Sequence, residues 1–299
     1  MNQQTDQQPS NLPQTPVSDM PETPYILHRR FDRMGRLIGD ANMEKLQRTH
    51  VMIIGLGGVG SWAAESLARS GVGKLTLVDY DEVCITNTNR QLHSISGMIG
   101  KKKAIVMAER IQKINPQIQV EAMPIFYNKD TSEEILAKNP DYIFDATDNM
   151  TAKCFLLATV KEKKIKTITS GGSAAKMDPT CIKITDLAST EVDPMCVAVR
   201  RILRQDYGFP KISGDFGITC VWSPEHPTMP VDLAYDNGQG FKCVCPQGQN
   251  GFNTCDNKNL INGSASFVTG AFGLAAASWI VRQVISSELQ VPEQTKQME

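Results

Sequence analysis

Gly55, Gly57, Gly58 and Gly60 fall in VMIIGLGGVGSWAAESLA, where a β-branched run gives way to a helical pattern. A GxGxxG in that context makes a tight strand-to-helix turn and lets a ligand approach the backbone closely. It also presents the unpaired N–H groups of a helix N-terminus, which is the chemistry of phosphate binding. Asp79 closes the next apolar run, where a carboxylate can accept hydrogen bonds from ribose hydroxyls. The same fingerprint serves NAD, so the polar residues that follow must decide between nucleotides. Asn87 and Arg90 lie in TNTNRQ, Lys103 in GKKKA, and Asp145, Asp148 and Asn149 in FDATDN. An arginine, a lysine and an aspartate converging there suit a triphosphate, because the cations stabilise phosphate charge and Asp148 can hold Mg²⁺. Hydride transfer needs no such set. Each member has a plainer role alone, Lys101 to Lys103 as a solvated helix start and Asp148 as an N-cap. Their joint occurrence favours ATP.

The elements that must position these residues follow from the periodicity. Short apolar runs at His50 to Ile54, Lys74 to Asp79, Ile118 to Met123, Tyr142 to Asp145 and Lys166 to Thr169 alternate with amphipathic stretches, the pattern of βαβ units and a mostly parallel sheet. Helices are expected over Val59 to Ser70, stopped by Gly71, and over Lys102 to Ile114, stopped by Asn115 and Pro116. Beyond Gly172 the pattern predicts a strand at Cys181 to Thr185 and a helix from Asp193 to Gln205. A Gly-, Pro- and Cys-rich stretch from Phe209 to Asn262 has no clear period. Ser264 to Ile285 is apolar and almost long enough to cross a bilayer, but its glycines, serines and threonine make it a core or dimer-interface helix and not a membrane span.

The division expected is a tail at 1–24, an adenylating domain over 25–290 and a second tail at 291–299. The domain comprises a nucleotide-binding half, 25–172, and a substrate and dimer half, 173–290. Hydrophobic residues at 41% and charged residues at 21% describe a globular chain and exclude a wholly disordered one. A formal net charge of −1 excludes binding of nucleic acid by bulk charge and leaves it to local patches. Arg200 and Arg204, spaced to share a helix face, with Arg201 and Lys211 close by, form one candidate patch. Lys161, Lys163, Lys164 and Lys166 form another. The first 24 residues contain neither a basic segment nor an apolar run, and the eight cysteines read as reduced thiols, so the expected location is the cytoplasm.

RFDRMGRLIG, GLGGVGSWAAESLARSGVGKLTLVDYDEV, TNTNRQ, GKKKA and DATDN together resemble the ThiF/MoeB/HesA superfamily, relatives of ubiquitin-activating enzymes. The resemblance implies a Rossmann-like, mostly parallel sheet with helices on both faces, an irregular C-terminal extension and a homodimer. It implies ATP binding by Gly55 to Gly60, Asp79, Asn87, Arg90, Lys103, Asp148 and Asn149, with Mg²⁺ on Asp148, catalysis by Arg90, Lys103 and Asp148, and Arg33 reaching ATP across the dimer. In the second half, GGSAAKMDPTCIKITDLASTEVDPMCVAVRRILR and CVWSPE resemble the tRNA threonylcarbamoyladenosine dehydratase branch. That branch activates a threonyl carboxylate on tRNA with ATP so that it cyclises. The rival within the superfamily is activation of a ubiquitin-like sulfur carrier. Paired CxxC zinc ligands of many relatives are replaced here by Cys243 and Cys245, with Cys220 and Cys255 apart, so a structural zinc is disfavoured. Cys196 stands where carrier activators place a reactive cysteine and reads as a packed helix residue. Cys255 resembles a branch cysteine linked to sulfur relay, which makes a cysteine desulfurase a candidate partner.

Overall fold

VMII is a continuous apolar run, which suits a strand covered on both faces, and the structure buries these four residues and His50 before them within a sheet. The computed structural model describes residues 26–211, 214–231, 233 and 262–286. Among them, seven strands form one sheet: β1 (His50–Ile54), β2 (Lys74–Val78), β3 (Gln119–Met123), β4 (Tyr142–Asp145), β5 (Lys166–Ser170), β6 (Lys183–Asp186) and β7 (Thr219–Trp222). Their spatial order is β3-β2-β1-β4-β5-β7-β6. Every pair is parallel except β6 with β7. Strands from both sides of residue 172 therefore share one sheet. The order reverses between β1 and β4, and such a switch opens a crevice at the carboxyl edge.

The helices are α1 (Asp32–Ile38), α2 (Asp40–Arg48), α3 (Gly60–Ser70), α4 (Lys103–Ile114), α5 (Ser132–Leu136), α6 (Met150–Glu162), α7 (Pro194–Asp206) and α8 (Ser266–Ile285). They cover both faces, as β1 makes visible: Val51 and Ile53 belong to a core with residues of α3, α4 and α8, whereas Met52 and Ile54 join residues of α5 and α6. The expected helices and strands are present with ends shifted by a residue or two. The strand β7 and the helices α1, α2 and α5 are additions.

The apolar helix α8 lies on α3, where Gly273 permits close approach. A Cβ there would stand 2.3 Å from the Val59 carbonyl oxygen, and one on Gly270 would meet the Trp62 ring at 3.2 Å. By length and composition α8 could cross a membrane, but 56% of its apolar window is buried within the protein, as expected of a core helix. The tails at 1–24 and 291–299, and Cys243, Cys245 and Cys255, lie outside the described residues.

Candidate nucleotide site

The turn from β1 into α3 shows why each glycine stands where it does. Gly55 has φ +92°, a conformation that L side chains rarely adopt, and a Cβ there would also meet the Ala146 carbonyl oxygen at 2.7 Å. At Gly60 a Cβ would fall 1.9 Å from the Gly55 oxygen, so this residue sets the approach of helix to strand. Gly57 differs: its Cβ would meet only Gln91 Nε2, at 4.0 Å, leaving the face open to a ligand. No side chain caps the α3 N-terminus, so its dipole and N–H groups face the same opening.

Asp79 follows β2 and is buried. Its Oδ2 accepts from the Leu56 N–H at 2.6 Å and its Oδ1 from the Asp81 N–H at 2.8 Å, which fixes the carboxylate beside the glycine turn. Burial raises its pKa, against the lowering pull of Lys103 and these two N–H groups. Asn87 Oδ1 accepts from the Cys84 N–H, and the Asn87 carbonyl accepts from the N–H groups of Arg90 and Gln91, so one buried asparagine shapes the loop that carries Arg90. Trp62 of α3 ties that loop down by donating to the Arg90 carbonyl at 3.0 Å.

The charged residues meet in this crevice. The Arg90 side chain lies over Gly58, whose Cβ would stand 3.1 Å from Arg90 Cγ. Burial lowers the Arg90 pKa while Asp148 pulls it up. Lys103 opens α4, is almost wholly buried and pairs with Asp81 at 2.8 Å. Burial alone would lower it, but the carboxylates of Asp79, Asp81 and Asp148 outweigh that and leave the ammonium above its ordinary value. Arg90 and Lys103 thus both feel the charge of Asp148 although the three come from separate segments. Asp148 itself is exposed at the carboxyl edge of β4. Asn149 Oδ1 accepts from the Ala152 N–H as the N-cap of α6, so that capping role belongs to Asn149 and not to its neighbour Asp148.

Two expected residues stand elsewhere. Asp145 is fully buried, pairing with Lys153 at 2.6 Å and accepting from Thr169 Oγ1 at 2.6 Å, so it braces the crevice floor and does not face a ligand. Arg33 is exposed on α1, next to Phe31, which packs at Gly71 on the far end of α3 from the glycine turn. Within one chain it does not join the site.

The sequence reading missed Lys153, Asp81 and the Lys176–Asp193 pair. In that pair Lys176 Nζ lies 2.6 Å from Asp193 Oδ2, and both residues are buried below the loop after β5. Lys153 follows Asn149 by one helical turn, which puts it on the cap's own face and was its one available signal.

The basic patches also read differently in three dimensions. Arg200 donates to Thr190 Oγ1. Arg204 donates to the Pro210 carbonyl at 3.1 Å and stacks on Phe216, while Lys161 donates to the Phe216 carbonyl. Cys196 is buried, with its sulfur 3.8 Å from that of Cys220, as a packed helix residue should be. Among the described residues no group of three or more His, Cys, Asp or Glu could by itself hold a metal ion.

The ThiF family profile matches residues 31–298. A tRNA threonylcarbamoyladenosine dehydratase of Haemophilus influenzae is 39% identical over 265 residues, spanning 87% of this chain and 95% of that protein. The crystal structure of the Escherichia coli tRNA N6-threonylcarbamoyladenosine dehydratase TcdA in complex with ATP superposes with a TM-score of 0.74 at 35% identity, covering 87% of this chain and 95% of that one. A molybdopterin-synthase adenylyltransferase of Salmonella typhimurium is more distant, at 28% identity over 66% of this chain and 70% of its own length.

Proposed function

Since the chain belongs to the ThiF family, on the tRNA threonylcarbamoyladenosine dehydratase branch, we propose that its carboxyl-edge crevice binds ATP and adenylates the threonyl carboxylate of threonylcarbamoyladenosine in tRNA. What supports the site assignment is that Asp79 accepts from the Leu56 N–H within the glycine turn, Arg90 lies over Gly58, and the charge of Asp148 acts on both Arg90 and Lys103. Asp79 receives the ribose hydroxyls, and the glycine turn with the α3 N-terminus receives the phosphates. Arg90 and Lys103 stabilise the charge that grows on the phosphate chain as the carboxylate attacks the α-phosphorus and pyrophosphate leaves. Asn149 holds the end of α6 that presents Asp148.

A lone exposed carboxylate suits Mg²⁺, which keeps several waters and takes its remaining ligands from substrate phosphates. Asp148 would hold it, and the ion would neutralise phosphate charge. The carbamoyl group of the substrate then attacks the acyl adenylate and releases AMP, so water is lost overall without an enzyme nucleophile. That fits Cys196, which is too deeply buried to meet an acyl group on a macromolecule. A homodimer would bring Arg33 of a second copy to the nucleotide, and the cytoplasm is where such a tRNA would be met.

The test is pyrophosphate exchange into ATP with three candidate carboxylates: tRNA bearing the threonylcarbamoyl group, the same tRNA without it, and a Gly-Gly-ended carrier protein. Exchange with modified tRNA alone is expected. Exchange with the carrier alone would transfer the chain to the rival activity.

A further inference from the structure

Asn139, Lys164, Ala175 and Val192 are the non-glycine residues with positive φ among those described, and two of them stand immediately before the members of one buried ion pair. Ala175, at φ +61°, precedes Lys176, and Val192, at φ +64°, precedes Asp193. A β-branched residue in that region is a genuine outlier. Such strain persists only where the surroundings over-determine it, and it gathers at functional sites. What the pair holds is the loop after β5: Lys176 Nζ donates to the Gly172 carbonyl, and Asp193 Oδ1 accepts from the Gly172 N–H at 3.2 Å. Asp193 also caps α7 by accepting from the Cys196 N–H at 2.9 Å, so the loop is pinned to a helix end. The residues that follow are left open. Among the described residues Ser173 Oγ and the N–H groups of Ser173 and Ala174 have no partner, and both residues are half-buried.

This loop borders the nucleotide crevice. Thr169 of β5 pairs with Asp145 of β4, so the two strands release their chains one strand spacing, about 5 Å, apart, and the chain from β4 carries Asp148. The Ala175 N–H donates to the Gly263 carbonyl at 2.8 Å, and the neighbouring Ser264 carbonyl accepts from Asn89, the residue before Arg90, at 2.9 Å. We propose that Ser173 and Ala174 form the acyl-substrate subsite, their open donors holding the carboxylate that attacks ATP, with Lys176 and Asp193 as positioning residues. The inference rests on the adenylation reading above. One carboxylate oxygen bonds to the α-phosphorus as pyrophosphate leaves, and the other, held on the loop, becomes the carbonyl oxygen of the acyl adenylate. Neutral donors suit that task, because a cation would bind the carboxylate more strongly and make it a poorer nucleophile. Lys176 spends its charge on Asp193 and is buried, so it shapes the loop without reaching the substrate.

The experiment uses full-length protein and tRNA bearing the threonylcarbamoyl group. It follows pyrophosphate exchange, ATP affinity by calorimetry, and affinity for the same tRNA without the group. Ser173→Ala removes one donor from a half-buried position, so exchange should fall about tenfold, the worth of one hydrogen bond to a charged group. Ser173→Asp sets an anion against the carboxylate and should cost about a hundredfold or more. In both variants ATP and unmodified tRNA should bind within twofold of wild type. Lys176→Met, assayed well below its melting temperature, should lower kcat by roughly tenfold or more with ATP affinity unchanged, as misplacement of a positioned reactant does. A merely structural pair would leave kcat intact. If that variant fails to fold, the two Ser173 variants decide alone. Exchange within twofold of wild type in either of them would overturn the assignment. So would a fall in ATP affinity that matches the fall in exchange, since the loop would then lie on the phosphates. Failure of wild-type protein to exchange with the modified tRNA would instead reject the proposed activity.

Discussion

Asp148 differs from the other charged residues of the crevice in being exposed and free of any structural hydrogen bond among the described residues, so its removal should cost chemistry and not folding. Asp148→Ala is expected to abolish pyrophosphate exchange with an unchanged melting temperature, and wild-type turnover at low Mg²⁺ would remove it from the site. Arg90→Ala and Lys103→Ala should lower kcat by roughly 10² or more, as loss of a donor to developing charge does elsewhere. An effect confined to KM would place them in ground-state binding instead. His93 supplies a pH test. Burial, with Lys103 and Arg110 near, pushes its pKa down to about 3 from an ordinary 6.5. Its folded pKa lies below the unfolded one, so the unfolded chain binds more protons between those values. Its contribution is therefore present above pH 6.5 and lost as pH falls toward 3. At pH 5 the loss from this residue should be about 2 kcal/mol relative to pH 7. Urea titrations of wild type and His93→Leu at the two pH values should differ by that slope, and parallel behaviour would show that the imidazole is paired.

The glycine turn allows a prediction about whole elements. Gly60→Ala places a methyl against the Gly55 carbonyl and should part α3 from β1, whereas Gly57→Ala enters open space and should leave the melting temperature within a degree or two while weakening ATP binding. If the two behave alike, the open face of Gly57 is not where phosphate sits. This turn was legible from sequence because one short segment carries strand, glycines and helix together. The strands of the first half were legible for a similar reason: each is a short apolar run bounded by a helix or a turn. The strand β7 was hidden because TCVW has only four residues, lies in a stretch rich in Gly and Pro, and gains its place from pairing with β5 and β6, which sequence spacing does not reveal. The helix pair α1 and α2 was masked by Gly39, a φ +81° hinge that interrupts the helical period, and α5 is a single short turn of chain. Lys153 went unread and Arg204 was read as part of a surface patch on a common ground. A cation on a helix is usually solvated, but here Asp145, at the end of the strand before α6, and the Pro210 carbonyl, in the loop after α7, supply buried or half-buried partners. Lys153→Met should accordingly cost about 3–5 kcal/mol by leaving Asp145 as a buried, unpaired charge.

At the scale of the molecule, the remaining question is how a protein of net charge −1 holds a polyanion. The topology narrows the answer. The N-terminus of α7 lies at the carboxyl edge, where Asp193 Oδ1 accepts from the Gly172 N–H at 3.2 Å, so its last turns run toward the opposite edge of the sheet. Arg200, Arg204 and Lys161 stand on that far side and spend their donors on Thr190, Pro210 and Phe216, buttressing the chain that leads into β7. Binding of tRNA phosphates requires cations near the crevice, and Lys101, exposed just before α4, meets that condition where Arg201 does not. Lys101→Glu should therefore weaken tRNA binding and flatten its dependence on salt by about 0.7 to 0.9 in log–log slope for each phosphate no longer neutralised. Arg201→Glu should leave both unchanged. Arg200→Glu combined with Arg204→Glu should lower the melting temperature without altering ATP affinity, because those side chains hold a loop and not a ligand. Binding titrations of threonylcarbamoylated tRNA across a range of salt concentrations decide the matter. A reduced slope for Arg201→Glu with an unchanged one for Lys101→Glu would move the docking surface to α7, the helix whose Arg200 and Arg204 the sequence offered as a patch.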